Sequence, residues 1–582
     1  MNQSTAFRRK IIYLVILVAT LVPLYLLGQP SDGTIDSGGQ LAAMRQEYGI
    51  SESDLGEISP ASETMKLASL GLRGVAATLL WEKAHKYRVL HEWDRLKASL
   101  NNIALLQPHY ERVWEHQAWN LAYNVSSEFD DYRQRYEMVR EGTEYLTKGV
   151  RQNRKAPRLI WYTGWFYGQK IGMSDEKRQF RRLFADDTVQ HAALAKEGIA
   201  VDSSEALGPL QKPDNWLVGR LWLNKGYDNV DKRGVQIRRQ TPINFYETGP
   251  KWSIKHAEAI EKEGILDQRS INAWTKASEY WEGLGQRSIP TRLRFNVRLG
   301  AIDDLLEERE QLKEEFRKLG GEVYQGMLDE NVKNLPVDVR NVYEKKPEDR
   351  TEAGKKAMPN IMLAIEPNYK EVAARLPTGK QLPALALLDE LEDLDERIQK
   401  TQGLRNQINF QYWESLAMAE QEERTVQARK LIFDAEQAAI EAEPDQAIKL
   451  YLQAFEIWAK IFDDYPVLTI DDSAEDLYQS IRRYMIAIDS EDLDEDFPLS
   501  AFVQAMQEGH GQAKAESYEL FREKQKELAA ARKKELDEEE RKREAEAAAA
   551  ESKKDTAGNA AQVEPEVKEP EVKEPEVKEP EV

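Results

Sequence analysis

Between Leu70 and Gly172, apolar and aromatic residues return every three or four positions and prolines interrupt the run, which restricts this stretch to helices packed in pairs. Leu72, Val75, Leu79, Leu80, Ala84 and Tyr87 form one stripe, because residues three and four apart share a helix face. Trp93, Leu96, Leu100, Ile103 and Leu106 form a second, which ends at Pro108. Proline lacks an amide donor and turns the preceding residue away from helical geometry. Val113, Trp114, Ala118, Leu121, Ala122 and Val125 restart the pattern, and Tyr136, Val139, Leu146 and Val150 continue it until Pro157. LIWYTGWFYGQKIG, from Leu159, then opens a further helix. Each pair leaves one apolar face open, so the pattern predicts pairs stacked in an array.

Two segments carry a resemblance to a known family. One is LKASLNNIALLQPHYERVWEHQAWNLAYNV from Leu96. The other is AEQAAIEAEPDQAIKLYLQAF, in which Ala435, Ala438, Ala447, Tyr451 and Ala454 hold the small and aromatic positions. Both resemble tetratricopeptide-repeat proteins, whose small residues let two helices approach and whose proline ends the second. The spacing departs from that family, since Pro108 and Pro157 are 49 residues apart against a period of about 34. The resemblance implies a repeat solenoid that binds other proteins on a concave surface. It names no partner.

Residues 11–28, IIYLVILVATLVPLYLLG, carry no charge and would span about 27 Å as a helix, close to the ~30 Å hydrocarbon thickness. Arg8, Arg9 and Lys10 precede them and Asp32 and Asp36 follow. The expectation is an uncleaved, single-pass signal-anchor in the inner membrane, with residues 1–10 cytoplasmic and the bulk of the chain extracytoplasmic. The lipid bilayer is then a partner through residues 11–28. Residues 29–60, rich in Ser, Asp, Gly and Pro, read as a flexible stalk.

The body divides by composition. Residues 61–197 hold the repeat-like helices, and 198–290 form a mixed helical and loop region with Trp216, Trp222, Phe245, Tyr246 and Trp252. In 291–423, Ile302, Leu305, Leu312, Phe316 and Leu319 make one seam and Leu387, Leu391, Leu394 and Ile398 another, about a proline-rich insert. Such seams pair as an antiparallel hairpin or join two copies of the chain. Residues 424–500 form a second repeat-like segment, 501–554 a charged helix, and 555–582 a disordered tail built on an EPEVK repeat.

Composition excludes some functions. The chain has 582 residues, no cysteine and a net charge of −21. Thiolate metal sites and cysteine nucleophiles are therefore absent, and no nucleic-acid partner is expected without a basic footprint. Glu82 and His85 have Glu-x-x-His spacing, yet a carboxylate-bridged metal pair needs two such motifs. The common phosphate, dinucleotide, hydrolase and zinc-protease motifs do not occur. No catalytic residue, metal or cofactor is assigned, and the chain is read as a non-enzyme.

The sequence thus predicts an all-α protein: a helical-hairpin solenoid with one N-terminal transmembrane helix, long charged helices and a disordered C-terminal tail. Its expected role is an envelope scaffold for proteins that the sequence does not identify. Two alternatives are a small-ligand binder or enzyme with a pocket in 198–290, and a spacer that self-associates through its seams. Candidate core or groove residues are Trp81, Tyr87, Trp114, Trp119, Tyr123, Trp161 and Trp165, with Ala435, Ala438, Ala447, Tyr451 and Ala454 in the second segment.

Overall fold

The apolar stripes become helices wherever one face can be buried. The computed structural model describes residues 73–469, 472–490, 492–493 and 497–507, together with short runs between 8 and 65 and residue 541. These fall into two units, Met1–Phe433 and Asp434–Val582.

In the first unit, α1 (Arg73–Val89) packs on α2 (Trp93–Leu106), and His91 turns the chain between them with φ 56°. α3 (Glu111–Trp119) runs into a π-helical segment, Asn120–Val125. α4 (Tyr132–Gln152) starts where the Asp131 side chain accepts from Arg133 N at 2.9 Å, which supplies one of the free amides of a first turn with an acceptor. α5 (Pro157–Phe166) has proline at its start, where no amide bond is lost. It too becomes π-helical, over Tyr167–Gly172. Leu96, Ile103, Val113, Ala118, Val139, Leu146, Leu159 and Phe166 fill the core between these helices.

α6 (Lys177–Asp186) contributes Phe180 and Phe184 to that core, and α7 (Thr188–Lys196) contributes Leu194. α8 (Asn215–Asp231) lies along α5, and α9 (Pro242–Lys262) and α10 (Gln268–Gln286) form a hairpin through Gly264, whose φ of 85° suits glycine. A two-stranded antiparallel ribbon follows, β1 (Ile289–Pro290) and β2 (Asn296–Val297), with Ile289 opposite Val297. α11 (Ile302–Asn334) is two helical segments joined at Gly321, where φ is 48°. α12 (Val337–Glu344), α13 (Glu352–Ile365) and α14 (Tyr369–Arg375) lead to α15 (Thr378–Gln407). Ile302, Leu305, Leu312 and Phe316 of α11 share one buried cluster with Leu388, Leu391, Leu394 and Ile398 of α15. α16 (Phe410–Glu420) then packs on α10.

The boundary between units falls within α17 (Glu423–Ile440). The second unit contains α18 (Pro444–Asp464), α19 (Asp472–Ala487) and α20 (Ser500–Gln507). Ala435, Ala438, Ala447, Tyr451 and Ala454 are buried here, and Tyr451, Phe455, Tyr484 and Phe497 form a ring cluster.

Asp214 ties several elements of the first unit together. Its carboxylate caps α8 by accepting from Trp216 N at 2.9 Å, pairs with Arg181 at 2.9 Å, and lies 3.2 Å from His256 Nδ1. Burial favours its neutral form, but His256 and Arg181 outweigh burial and hold the carboxyl well below the usual carboxylate range. The stability this group confers is therefore present above its ordinary pKa and is lost as pH falls. Asp214→Ala is expected to cost about 3 kcal/mol at neutral pH, read from urea midpoints, with a smaller cost in acid. An equal cost at both pH values would contradict this account.

Three expectations need correction. Among the described residues no helix is long and apolar enough to cross a membrane. Residues 10–16 are helical and Ile11, Leu14 and Ile16 are exposed. The signal-anchor, the inner-membrane topology and the bilayer partnership through residues 11–28 are therefore not supported, although most of 17–28 lies outside the described residues.

The tetratricopeptide-like solenoid is corrected as well. Helix pairs are present, but π-helical turns, a strand ribbon and a kinked 33-residue helix break any regular repeat. Small buried residues mark close helix packing in general and do not by themselves mark that family. The envelope scaffold, which rested on the anchor and the repeats, is withdrawn with them. Most of the stalk at 29–60, most of 501–554 and the tail at 555–582 lie outside the described residues.

Candidate functional site

Helical spacing gives α3 two faces. Val113, Trp114, Gln117 and Ala118 point into the core, which leaves Arg112, Glu115, His116 and Trp119 together on the opposite face. α5 repeats the arrangement. Leu159, Ile160, Thr163 and Phe166 are buried, and Arg158, Trp161, Tyr162 and Trp165 are only half-buried. The two outward faces, with Trp81 of α1 and Tyr110, enclose an open cleft of about 630 Å³, a size suited to a small molecule.

A second cleft, of about 450 Å³, adjoins it and is lined by Arg88, His91, Trp93, Asn120 and Asn124. His116 and Trp119 belong to both clefts. Trp119 is 42% exposed and stacks on Tyr123 with ring centroids 3.9 Å apart. Lys170 Nζ lies 4.4 Å from the Tyr123 centroid, so a cation supports the stack from within. Trp81 meets His116 and Tyr110 edge-on at 5.5 and 6.3 Å, and Tyr162 stacks on Trp165 at 5.3 Å.

Charge is partly compensated at the rim. Arg158 donates to both Glu115 oxygens at 3.1 and 3.4 Å and to the Arg239 carbonyl at 3.1 Å, while Arg239 lies 3.5 Å from Glu111. Burial raises the Glu111 pKa against the pull of Arg239. Arg112 forms no ion pair among the described residues.

The floor is polar and incompletely paired. Burial, aided by Arg88, lowers the His116 pKa and keeps the imidazole neutral at pH 7, and its buried Nδ1 has no hydrogen-bond partner. Asn120, fully buried, accepts from Asn124 at 3.0 Å through Oδ1, but its Nδ2 has no partner. Behind them, both amide atoms of Gln117 are also unpaired. An unsatisfied buried polar group costs roughly 1–3 kcal/mol, and such groups concentrate at sites that serve a ligand or water. The π-helical turn that begins at Asn120 marks the same place, as such turns often do at functional sites.

Of the residues singled out in sequence, Trp81 and Trp119 line the clefts, and Tyr123 lies behind Trp119. Trp165 backs Tyr162, and Trp161 stacks on Trp165 at 6.2 Å. Trp114 is buried and donates to the Pro108 carbonyl at 2.9 Å, a core role. Tyr87 carries Arg95 over its ring at 5.9 Å, away from both clefts. In 198–290, Trp216, Trp222, Phe245, Tyr246 and Trp252 are buried. Trp216 meets Trp252 at 5.1 Å and lines neither cleft, although the indole N–H groups of Trp216 and Trp222 lack partners.

Sequence reasoning missed Tyr110, Arg112, Glu115, His116, Arg158, Tyr162 and Asn120. The available signal was a second stripe at 112, 115, 116 and 119, polar and aromatic, opposite the apolar one. Among the described residues no group of three or more histidine or acidic side chains is placed to hold a metal ion. No protein-family model, curated protein or solved structure matches this chain.

Proposed function

We propose that this chain is a non-catalytic binder of a small ligand, held in the twin cleft between α1, α3 and α5. The observation that carries this reading is the coincidence of unpaired buried polar atoms, His116 Nδ1 and Asn120 Nδ2, with exposed ring faces at one cleft. A ligand that displaces the side chains covering these atoms and supplies the missing hydrogen bonds recovers their cost on binding, while the rings provide the larger apolar contact area. Of the readings weighed from sequence, the small-ligand binder is the one this supports, with the site moved from 198–290 to residues 81–162.

Trp119→Ala is the test. The ring is partly exposed and its loss should shift stability by no more than about 1 kcal/mol. Saturation-transfer NMR with a library of planar and polyhydroxylated compounds should give hits on the wild-type chain that vanish with the variant. Hits that persist unchanged in Trp119→Ala would remove the cleft as the binding site.

A further inference from the structure

We infer that the ligand of the twin cleft is an oligosaccharide bearing isolated carboxylates, a uronic-acid-containing glycan, an inference that rests on the binding role proposed above. Shape is the first reason. The clefts share His116 and Trp119 and together follow the chain from Tyr110 to Asn124, about 20 Å of helix. An open groove of that length suits a chain of several rings better than one compact molecule.

Chemistry is the second. The groove presents ring faces, on which the C–H faces of sugars stack. The lining adds an acceptor at Glu115, and beneath it lie the buried, unpaired Asn120 Nδ2 and His116 Nδ1, which a ligand meets only where the covering side chains shift. Hydroxyl groups both donate and accept, so they match this mixed set. Phosphate only accepts, and Glu115 in the lining opposes a dense polyanion.

Charge is the third reason. With Arg158 held by Glu115 and Arg239 beside Glu111, each cleft keeps one lining arginine without an acidic partner among the described residues, Arg112 in the larger and Arg88, which meets His85 at 3.3 Å, in the smaller. One guanidinium binds one carboxylate bidentately, which predicts widely spaced acid groups on the ligand.

The experiment is titration calorimetry of the full-length chain with a xylotriose carrying a single glucuronic acid, with neutral xylotetraose and with ATP, repeated on Arg112→Gln and Trp119→Ala. The singly acidic sugar should bind at least tenfold tighter than xylotetraose. Arg112→Gln should weaken the acidic sugar more than the neutral one and so shrink that preference, and Trp119→Ala should weaken both sugars. Unchanged thermal midpoints in the variants exclude unfolding as the cause. Equal binding of the two sugars, or ATP as the tightest ligand, overturns the glycan-acid inference and leaves the cleft reading intact if Trp119→Ala still abolishes binding. No saccharide binding at all overturns the inference too, and the compound library described above then decides the cleft reading separately.

Discussion

Gly164→Ala is expected to lower the stability of the first unit by about 3 kcal/mol, the upper end of ordinary overpacking costs. A Cβ at Gly164 would lie 2.5 Å from the Gly219 carbonyl oxygen and 2.8 Å from Leu223 Cγ. The obstacle is backbone, so no rotamer change relieves it. The contact is reciprocal, because a Cβ at Gly219 would lie 2.8 Å from the Gly164 carbonyl oxygen. That carbonyl also accepts from Trp252 Nε1 at 3.2 Å, so moving α5 away from α8 breaks a buried hydrogen bond as well. Gly168 and Gly172 continue the same edge at four-residue steps, and Trp252 and Trp216 rest on them at 2.4 and 2.2 Å from any added Cβ. Gly283→Ala is the control. It is a helical glycine with nothing near its missing Cβ, so alanine there should stabilise by about 0.5 kcal/mol. Urea midpoints at unchanged slope measure both. A neutral Gly164→Ala would show that α5 and α8 do not meet as closely as described.

Arg429→Met should cost about 4 kcal/mol at pH 8 and much less at pH 5. Arg429 Nε donates to Glu420 at 2.7 Å, its Nη2 pairs with the other Glu420 oxygen, and its Nε lies 3.5 Å from Glu261. Glu420 is fully buried and Glu261 nearly so. Without the guanidinium, two carboxylates share one apolar site, and the cost falls as Glu261 takes up a proton. Burial, opposed by Arg429 and reinforced by Glu420, already pushes the Glu261 pKa up to about 8. A raised folded-state pKa means that the folded chain binds more protons than the unfolded one between about 4.5 and 8. The stability linked to Glu261 is therefore fully present below that window and lost as pH rises through about 8. Glu247, raised to about 7 by burial against Lys251, adds a slope of the same sign. Glu261→Gln should flatten the pH dependence and stabilise the chain above pH 8. If Arg429→Met cost the same at pH 5 and pH 8, the carboxylate pair would not be the source.

How much of this was legible beforehand differs by level. The stripes at Leu96, Leu100 and Ile103 and at Val139, Leu146 and Val150 became buried helix faces, because helix periodicity and burial are both local consequences of residue order. The site was only half legible. Trp81 and Trp119 were singled out as large rings, but sequence does not say which rings the core leaves uncovered. The glycine series 164, 168 and 172 stood in the quoted motif, yet its meaning depends on Gly219 and Trp252, more than 50 residues away. The anchor read from the apolar run at 11–28 finds no support, because among the described residues no helix is long and apolar enough to cross a membrane.

By itself, the sequence determined that the chain is helical, where proline ends some of its helices, and which chemistries its missing cysteines exclude. These follow from hydrogen bonding, φ restriction and side-chain spacing over a few residues. Only the tertiary structure decided which aromatic rings stay exposed, which buried amide and imidazole atoms stay unpaired, and which arginines at the clefts lack an acid. Those outcomes depend on partners far apart in sequence, brought together when helices that could have paired in several ways settled where glycine edges let backbones touch.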